Sequence, residues 1–207
     1  MSKQFPLKLS RARRPSFRNF LGKDNNKALA ALERLVTRSE ANSIYLWGNA
    51  CGKTHLLLAA SNAVDEAGSP AMYLSMKELA VLDPGMLDEI RNYALVCIDD
   101  IEQIVGNAAW EEALFHLYNR VRDNGGRLLI AGDRSLAQMP LRLQDLHSRL
   151  GWGASYQLSP LDDEGKRFTL QWSDALGASA NDYDLYLLDP TMTTVLDFSL
   201  DNHMVLI

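Results

Sequence analysis

The chain has 207 residues, a formal net charge of −5 and an apolar fraction of 47%. That is enough for one full domain, or one domain and part of a second, around an ordinary core, and the acidic balance disfavours non-specific DNA binding by the whole chain. The two cysteines, Cys51 and Cys97, form no disulfide framework, the start has no apolar signal region, and no run approaches 18 apolar residues, so a cytoplasmic protein that does not enter a membrane is expected.

Residues 1–24 read as an arm, strongly basic over 8–18. Basic residues of that kind usually form a solvated tail. Apolar spacing at Leu29, Leu32 and Leu35 predicts a first helix over 25–36. Residues 43–47 read as a strand, and the run from His55 predicts a helix to about residue 66. A second strand is expected over 71–75, with a short helix over 76–81 after it. Pro84 suits the first turn of a further helix over 83–91. The stretch 93–98 reads as a buried strand, and 108–123 as an amphipathic helix stopped by Gly125-Gly126. Then come a strand over 127–131, a helix over 140–150 and a short strand over 155–158. Strands alternating with helices predict an α/β fold with a parallel, doubly wound sheet. Beyond Leu161 the pattern weakens: 162–176 reads as a helix, 182–189 is mixed, and 190–198 reads as one more helix. The expected domains are an arm (1–24), a sheet domain (25–160) and a small, curtailed helical lid (161–207).

Two motifs carry chemistry. The strand Ile44-Tyr45-Leu46-Trp47 runs into Gly48-Asn49-Ala50-Cys51-Gly52-Lys53-Thr54 and then into helix at His55. Strand, Gly-rich turn, Gly-Lys-Thr and helix are the context of a phosphate-binding loop. Its N–H groups and the helix N-terminus favour an anion. Lys53 would reach the β- and γ-phosphates, and Thr54 would ligate Mg²⁺. The usual spacing has four residues between the first Gly and Gly-Lys, whereas Gly48 and Gly52 are separated by three. The second motif is Leu95-Val96-Cys97-Ile98-Asp99-Asp100, an apolar strand with two acids at its carboxyl end. Ligands of open α/β sheets bind at that edge. Asp99 would hold Mg²⁺ and Asp100 would sit near the γ-phosphate. Either motif alone also reads as an ordinary turn. Together they make ADP or ATP with Mg²⁺ the expected ligand.

These motifs, with the helix 110–120 (Trp110-Glu111-Glu112-Ala113-Leu114-Phe115-His116-Leu117-Tyr118-Asn119-Arg120) and Ser148-Arg149-Leu150-Gly151-Trp152-Gly153, resemble the DnaA-like AAA+ ATPases of bacterial replication initiation. The likeness is good over residues 40–172 and is strongest to the regulatory inactivators within that family. It implies an AAA+ P-loop domain with a helical lid and neither the DNA-binding nor the N-terminal domain of the initiator. It implies an ADP-bound regulator that, on the DNA polymerase III β sliding clamp, stimulates hydrolysis of ATP on DnaA, with little or no ATPase activity of its own and DNA touched only indirectly. Arg149 matches the arginine finger supplied in trans. Asp133 matches a sensor position beside the γ-phosphate, and Gly132-Asp133-Arg134 reads equally as a turn. The family's lid arginine has no match near Asp189-Pro190-Thr191. Gln4-Phe5-Pro6-Leu7-Lys8-Leu9 resembles a clamp-docking peptide, with Gln4, Phe5, Leu7 and Leu9 as its contacts; a free arm is the alternative. A DnaC-like helicase-loading ATPase and a nucleotide-free binding module are competing readings, and curtailed lid helices would favour self-association.

Overall fold

A computed structural model describes residues 14–20, 23–37, 43–49 and 51–160, with the backbone of two strands further on. Five strands, β1 (Ser43–Trp47), β2 (Ala71–Ser75), β3 (Leu95–Asp99), β4 (Arg127–Gly132) and β5 (Ala154–Gln157), form one sheet. All four neighbour pairs are parallel, and the order is β2-β3-β4-β1-β5. The helices are α1 (Asn26–Thr37), α2 (Lys53–Glu66), α3 (Met76–Leu79), α4 (Ala108–Asp123) and α5 (Gln144–Leu150).

The strand sequences explain the sheet. Every residue of β3 and β4 is buried, as expected of parallel strands covered on both faces. Their alternate side chains divide between two cores. Val96, Ile98, Leu128 and Ile130 pack with Trp110, Leu114 and Leu117 of α4. Leu95, Cys97, Leu129 and Ala131 pack with Leu32 and Leu35 of α1 and Leu56 and Leu57 of α2. The carboxyl ends of β1, β3 and β4 therefore reach one edge, where Gly48, Asp100 and Asp133 follow them.

Three expected elements differ. Residues 83–91 hold a 3-10 helix, Pro84–Glu89, capped by Asp83, whose carboxylate accepts from Gly85 N at 2.7 Å. The helix expected over 140–150 begins only at Gln144. Arg142 and Leu143 donate their N–H groups at 2.8 and 2.7 Å to the buried Glu111 carboxylate, which replaces a first helical turn. The helix expected over 190–198 is contradicted by β7 (Val195–Ser199), which pairs antiparallel with β6 (Leu185–Leu188). The β-branched run Thr193-Thr194-Val195 and the nearby Phe198 favour strand over helix. This hairpin is the described part of a second compact unit, Asp163–Ile207. The expected helix over 162–176 lies outside the described residues. Among the described residues, no helix is long and apolar enough to cross a membrane.

Candidate functional site

The loop between β1 and α2 is built on two glycines. Gly48 has φ +140°, and a Cβ there would lie 2.6 Å from the Leu158 carbonyl oxygen. Only glycine allows this close approach, which the Leu158 N–H to Trp47 carbonyl bond (2.8 Å) fixes from the other side. Gly52 is left-handed (φ +77°) and caps α2. Its carbonyl accepts from Leu56 N at 3.1 Å, so the N–H groups of Lys53, Thr54 and His55 precede the helical ladder. A helix start with free donors suits an anion. Asn49 is exposed and Cys51 buried, which pushes the Cys51 thiol pKa up. Ala50 lies outside the described residues.

Lys53 and Thr54 face different partners. The Lys53 ammonium donates to the Gly48 carbonyl, a neutral acceptor that a phosphate oxygen would outcompete. Thr54 Oγ1 donates to Asp99 Oδ2 at 2.6 Å, which joins the two motifs across 45 residues of sequence. Tyr73 OH donates to the same oxygen at 2.9 Å, and Asp100 N donates to Asp99 Oδ1 at 3.1 Å. Asp99 is 1% exposed and is thus oriented on three sides. Beside it Asp100 is left-handed (φ +56°), and burial followed by the Asp99 charge pushes its carboxyl pKa up. A hydroxyl and a carboxylate are the hard oxygen donors that Mg²⁺ prefers. Among the described residues no cluster of three or more His, Cys, Asp or Glu is set to hold a metal unaided, so Mg²⁺ here would depend on phosphate and water oxygens as well.

Asp133 follows β4 and is tied to its neighbour. Arg134 Nε and Nη2 donate to its two oxygens at 2.8 and 2.7 Å, which holds the Asp133 carboxyl below the usual carboxylate range. Asp133 N donates to Glu102 Oε2 at 3.2 Å. Burial, together with Asp133 and Asp100, pushes the Glu102 pKa up. Tyr45 OH anchors the turn by donating to the Arg134 carbonyl at 2.7 Å.

His55 faces the arm. Its Nε2 lies 3.0 Å from the Ser16 carbonyl oxygen, and its ring centroid lies 5.8 Å from that of Phe20. Asn62 Nδ2 donates to the Pro15 carbonyl at 2.9 Å. Phe20 Cε2 lies 2.8 Å from where a Gly52 Cβ would stand. Residues 14–20 are therefore fastened to α2 and the loop, which corrects the expectation of a solvated tail there. Gln4, Phe5, Leu7 and Leu9 lie outside the described residues.

Arg149 sits in the last turn of α5, and among the described residues its side-chain contacts are with aromatic rings, not with the loop or Asp99. Its guanidinium lies 4.0 Å from the Trp152 ring centroid and 5.9 Å from that of Phe115. Arg122 of α4 covers the same indole at 4.7 Å. Among the described residues the Arg149 guanidinium has no hydrogen bond or ion pair.

Five further residues contribute. Tyr73 stands two places along the face it shares with the residue paired to Asp99, so strand alternation could have marked it. Glu111 sits in the Trp-Glu-Glu-Ala run, and its burial inside a charged helix start was the hidden feature. Glu102 and Phe20 act through long-range contacts and left no signal in spacing, whereas Trp152 lies three residues after Arg149 in the Ser148–Gly153 run already singled out.

The sequence matches the bacterial DnaA ATPase domain family over residues 12–157. The fold is similar to domain III of DnaA from Thermotoga maritima, at 27% identity and TM-score 0.65, covering 73% of this chain and 69% of that one. It is also similar to AMPPCP-bound DnaA from Aquifex aeolicus, at 20% identity and TM-score 0.64, covering 75% and 53% of the two chains. A crystal structure of the DnaC helicase loader shares the fold at 19% identity and TM-score 0.53, covering 70% of this chain and 97% of that one. The match spans about half of the longer initiation chains, 51% and 53%.

Proposed function

This chain belongs to the bacterial DnaA ATPase domain family, and from that premise we propose that it is an Hda-like regulatory inactivator of the initiator DnaA. It would act by phosphoryl-transfer chemistry performed on its partner. Arg149 would enter the nucleotide site of DnaA-ATP and stabilise the charge of the hydrolytic transition state, a contribution of roughly 10³ to 10⁵ in rate for such fingers. Arginine suits that role because it is always charged, planar and able to donate two parallel hydrogen bonds.

The observation that carries the reading is the state of Arg149: held over Trp152, in the last turn of α5, with its donors uncommitted among the described residues. An arginine that capped α5 by hydrogen bonding would spend its donors on the final carbonyls.

The chain's own loop would hold ADP or ATP with Mg²⁺, the ion supplying charge neutralisation at the phosphates. Lys53 would exchange the Gly48 carbonyl for a phosphate oxygen. Thr54 and Asp99, already bonded to each other and braced by Tyr73, would present their oxygens together. The three-residue spacing between Gly48 and Gly52 leaves fewer N–H donors for the phosphates than the usual loop has. A structural nucleotide, turned over slowly, suits such a site. Asp100 and Asp133 would face the terminal phosphate. Gln4, Phe5, Leu7 and Leu9 would dock on the DNA polymerase III β sliding clamp as an extended peptide whose affinity is limited by its ordering cost. The clamp would bring the regulator to DNA.

The test is release of phosphate from ATP-loaded DnaA, with sliding clamp and DNA, comparing this chain with Arg149→Ala. Clamp-dependent stimulation by the wild type and its loss in the variant is the expected result. An absence of stimulation by folded wild-type chain would overturn the reading.

A further inference from the structure

We infer that Trp152 is a positioning residue for Arg149, holding the guanidinium in place through its indole face while leaving the N–H edges available to a partner's phosphates. The inference rests on the finger reading above and adds the element that would prepare the finger.

The geometry points there in three steps. The first is the state of the ring. Trp152 is 57% exposed, an unusual condition for the largest apolar side chain, and its neighbours are cations rather than a core. The second is the kind of contact. Arg149 lies 4.0 Å from the ring centroid, well inside the roughly 6 Å range of a cation–π interaction. A guanidinium held by its face keeps its five in-plane donors free, whereas an ion pair would use two of them. The third is rigidity. Arg149 also lies 5.9 Å from the Phe115 ring, and Phe115 stacks edge-on against His116 at 5.5 Å. Arg149 is therefore flanked by an aromatic from α4 and one just after α5. A long, flexible side chain is thereby restrained before it meets its partner.

Arg122 shares the indole at 4.7 Å, and its guanidinium has no hydrogen bond or ion pair among the described residues. The face thus presents two uncommitted guanidiniums about one exposed ring. A polyanion fits this chemistry, and the triphosphate of a nucleotide held at the edge of another protein is the occupant that the finger reading requires.

The experiment measures phosphate release from DnaA-ATP with clamp and DNA at increasing concentrations of the full chain, which separates the maximal stimulated rate from the half-saturating concentration. Trp152→Ala should lower the maximal rate about three- to tenfold, the range that one partly exposed cation–π contact supplies. Trp152→Phe should restore most of it. The half-saturating concentration should change little, because a positioning residue acts on the finger rather than on docking. If Trp152→Ala fails to fold in a thermal melt, Trp152→Leu, which keeps apolar volume without a π face, takes its place with the same expectation. Equal maximal rates for wild type and the Ala or Leu variant would overturn the proposal while leaving the finger reading intact. So would a failure of Trp152→Phe to restore the rate. A wild-type rate for Arg149→Ala itself would instead defeat the finger reading beneath it.

Discussion

Glu111 should be the most sensitive polar residue in the sheet domain. It is fully buried, and its carboxylate accepts three backbone N–H groups: Gly106 at 2.7 Å on one oxygen, and Arg142 and Leu143 at 2.8 and 2.7 Å on the other. The first belongs to the turn before α4, and the other two belong to the entry to α5. One carboxylate thus ties the start of one helix to the start of another. Hydrogen bonds to a charged group contribute about 1.5–3 kcal/mol each, and a buried donor left without a partner costs about 1–3 kcal/mol. Glu111→Ala strands three donors and opens a cavity. Relief of the carboxylate's own desolvation and access of water to the exposed Arg142 backbone offset part of this, leaving a loss of about 3–5 kcal/mol. Glu111→Gln keeps the volume and one acceptor oxygen. That oxygen can serve Arg142 and Leu143, but the amide then turns a donor toward the Gly106 N–H. The loss should be about 2 kcal/mol. With a urea dependence of about 2 kcal/mol per molar, the Gln variant should unfold about 1 M earlier than the wild type, and the Ala variant earlier still. Urea unfolding followed by tryptophan fluorescence reads this directly, because Trp110 adjoins the site. Coincident midpoints for wild type and Gln would refute the reasoning, since they would mean that water replaces all three contacts at no cost.

Two further outcomes follow from the loop edge. Asp100 has a carboxyl pKa raised by burial and by Asp99, so the folded state binds its proton more tightly than the unfolded state does; the destabilisation this causes is complete above the folded pKa and is relieved as pH falls through it toward the usual carboxylate value. Asp100→Asn, which also tolerates the left-handed backbone at φ +56°, should therefore raise the melting temperature at pH 7 and lose that advantage as the acid range is entered, and an advantage that grew on acidification would contradict the assignment. Thr54→Val should abolish the thermal stabilisation given by ADP with Mg²⁺, a shift worth about 2.7 kcal/mol at a ligand concentration 100 times the Kd, and an unchanged shift in differential scanning fluorimetry would remove Thr54 from the site.

The sheet was legible because its signals are local. A strand buried on both faces must be apolar at every position, and β3 and β4 are nearly so. The Gly-Lys-Thr turn and the Asp-Asp pair could each be read from a few adjacent residues, and the parallel sheet then places their carboxyl ends on one edge whatever the details. Boundaries failed where a distant residue replaced a local hydrogen bond. The late start of α5 at Gln144 is the clearest case: nothing in residues 140–143 announces that the Arg142 and Leu143 N–H groups are bound by a glutamate some 31 residues earlier. The hairpin at 185–188 and 195–199 failed for another reason, since its apolar spacing fits both periods and the β-branched residues had to arbitrate.

The candidate site divides along the same line. Lys53, Thr54 and Asp99 were readable because phosphate chemistry demands those residue types near a glycine turn. Tyr73 could be marked only by its place on the strand face, and Glu102 and Phe20 not at all, because they hold or cover the turns around the site and many side chains could do so from many places. Arg149 is the instructive residue. Charge and position near a helix end are equally the marks of a capping residue and of a finger, and sequence alone carries no distinction between them. The distinction lies in where the guanidinium spends its donors. In this fold it lies over Trp152 and beside Phe115 and has no hydrogen bond or ion pair among the described residues, so its donors face solvent rather than the last carbonyls of α5. Solvent satisfies those donors at no cost to the fold and a phosphate could replace that solvent, which is the physical reason to test the face of α5 as well as the loop that the motifs announce.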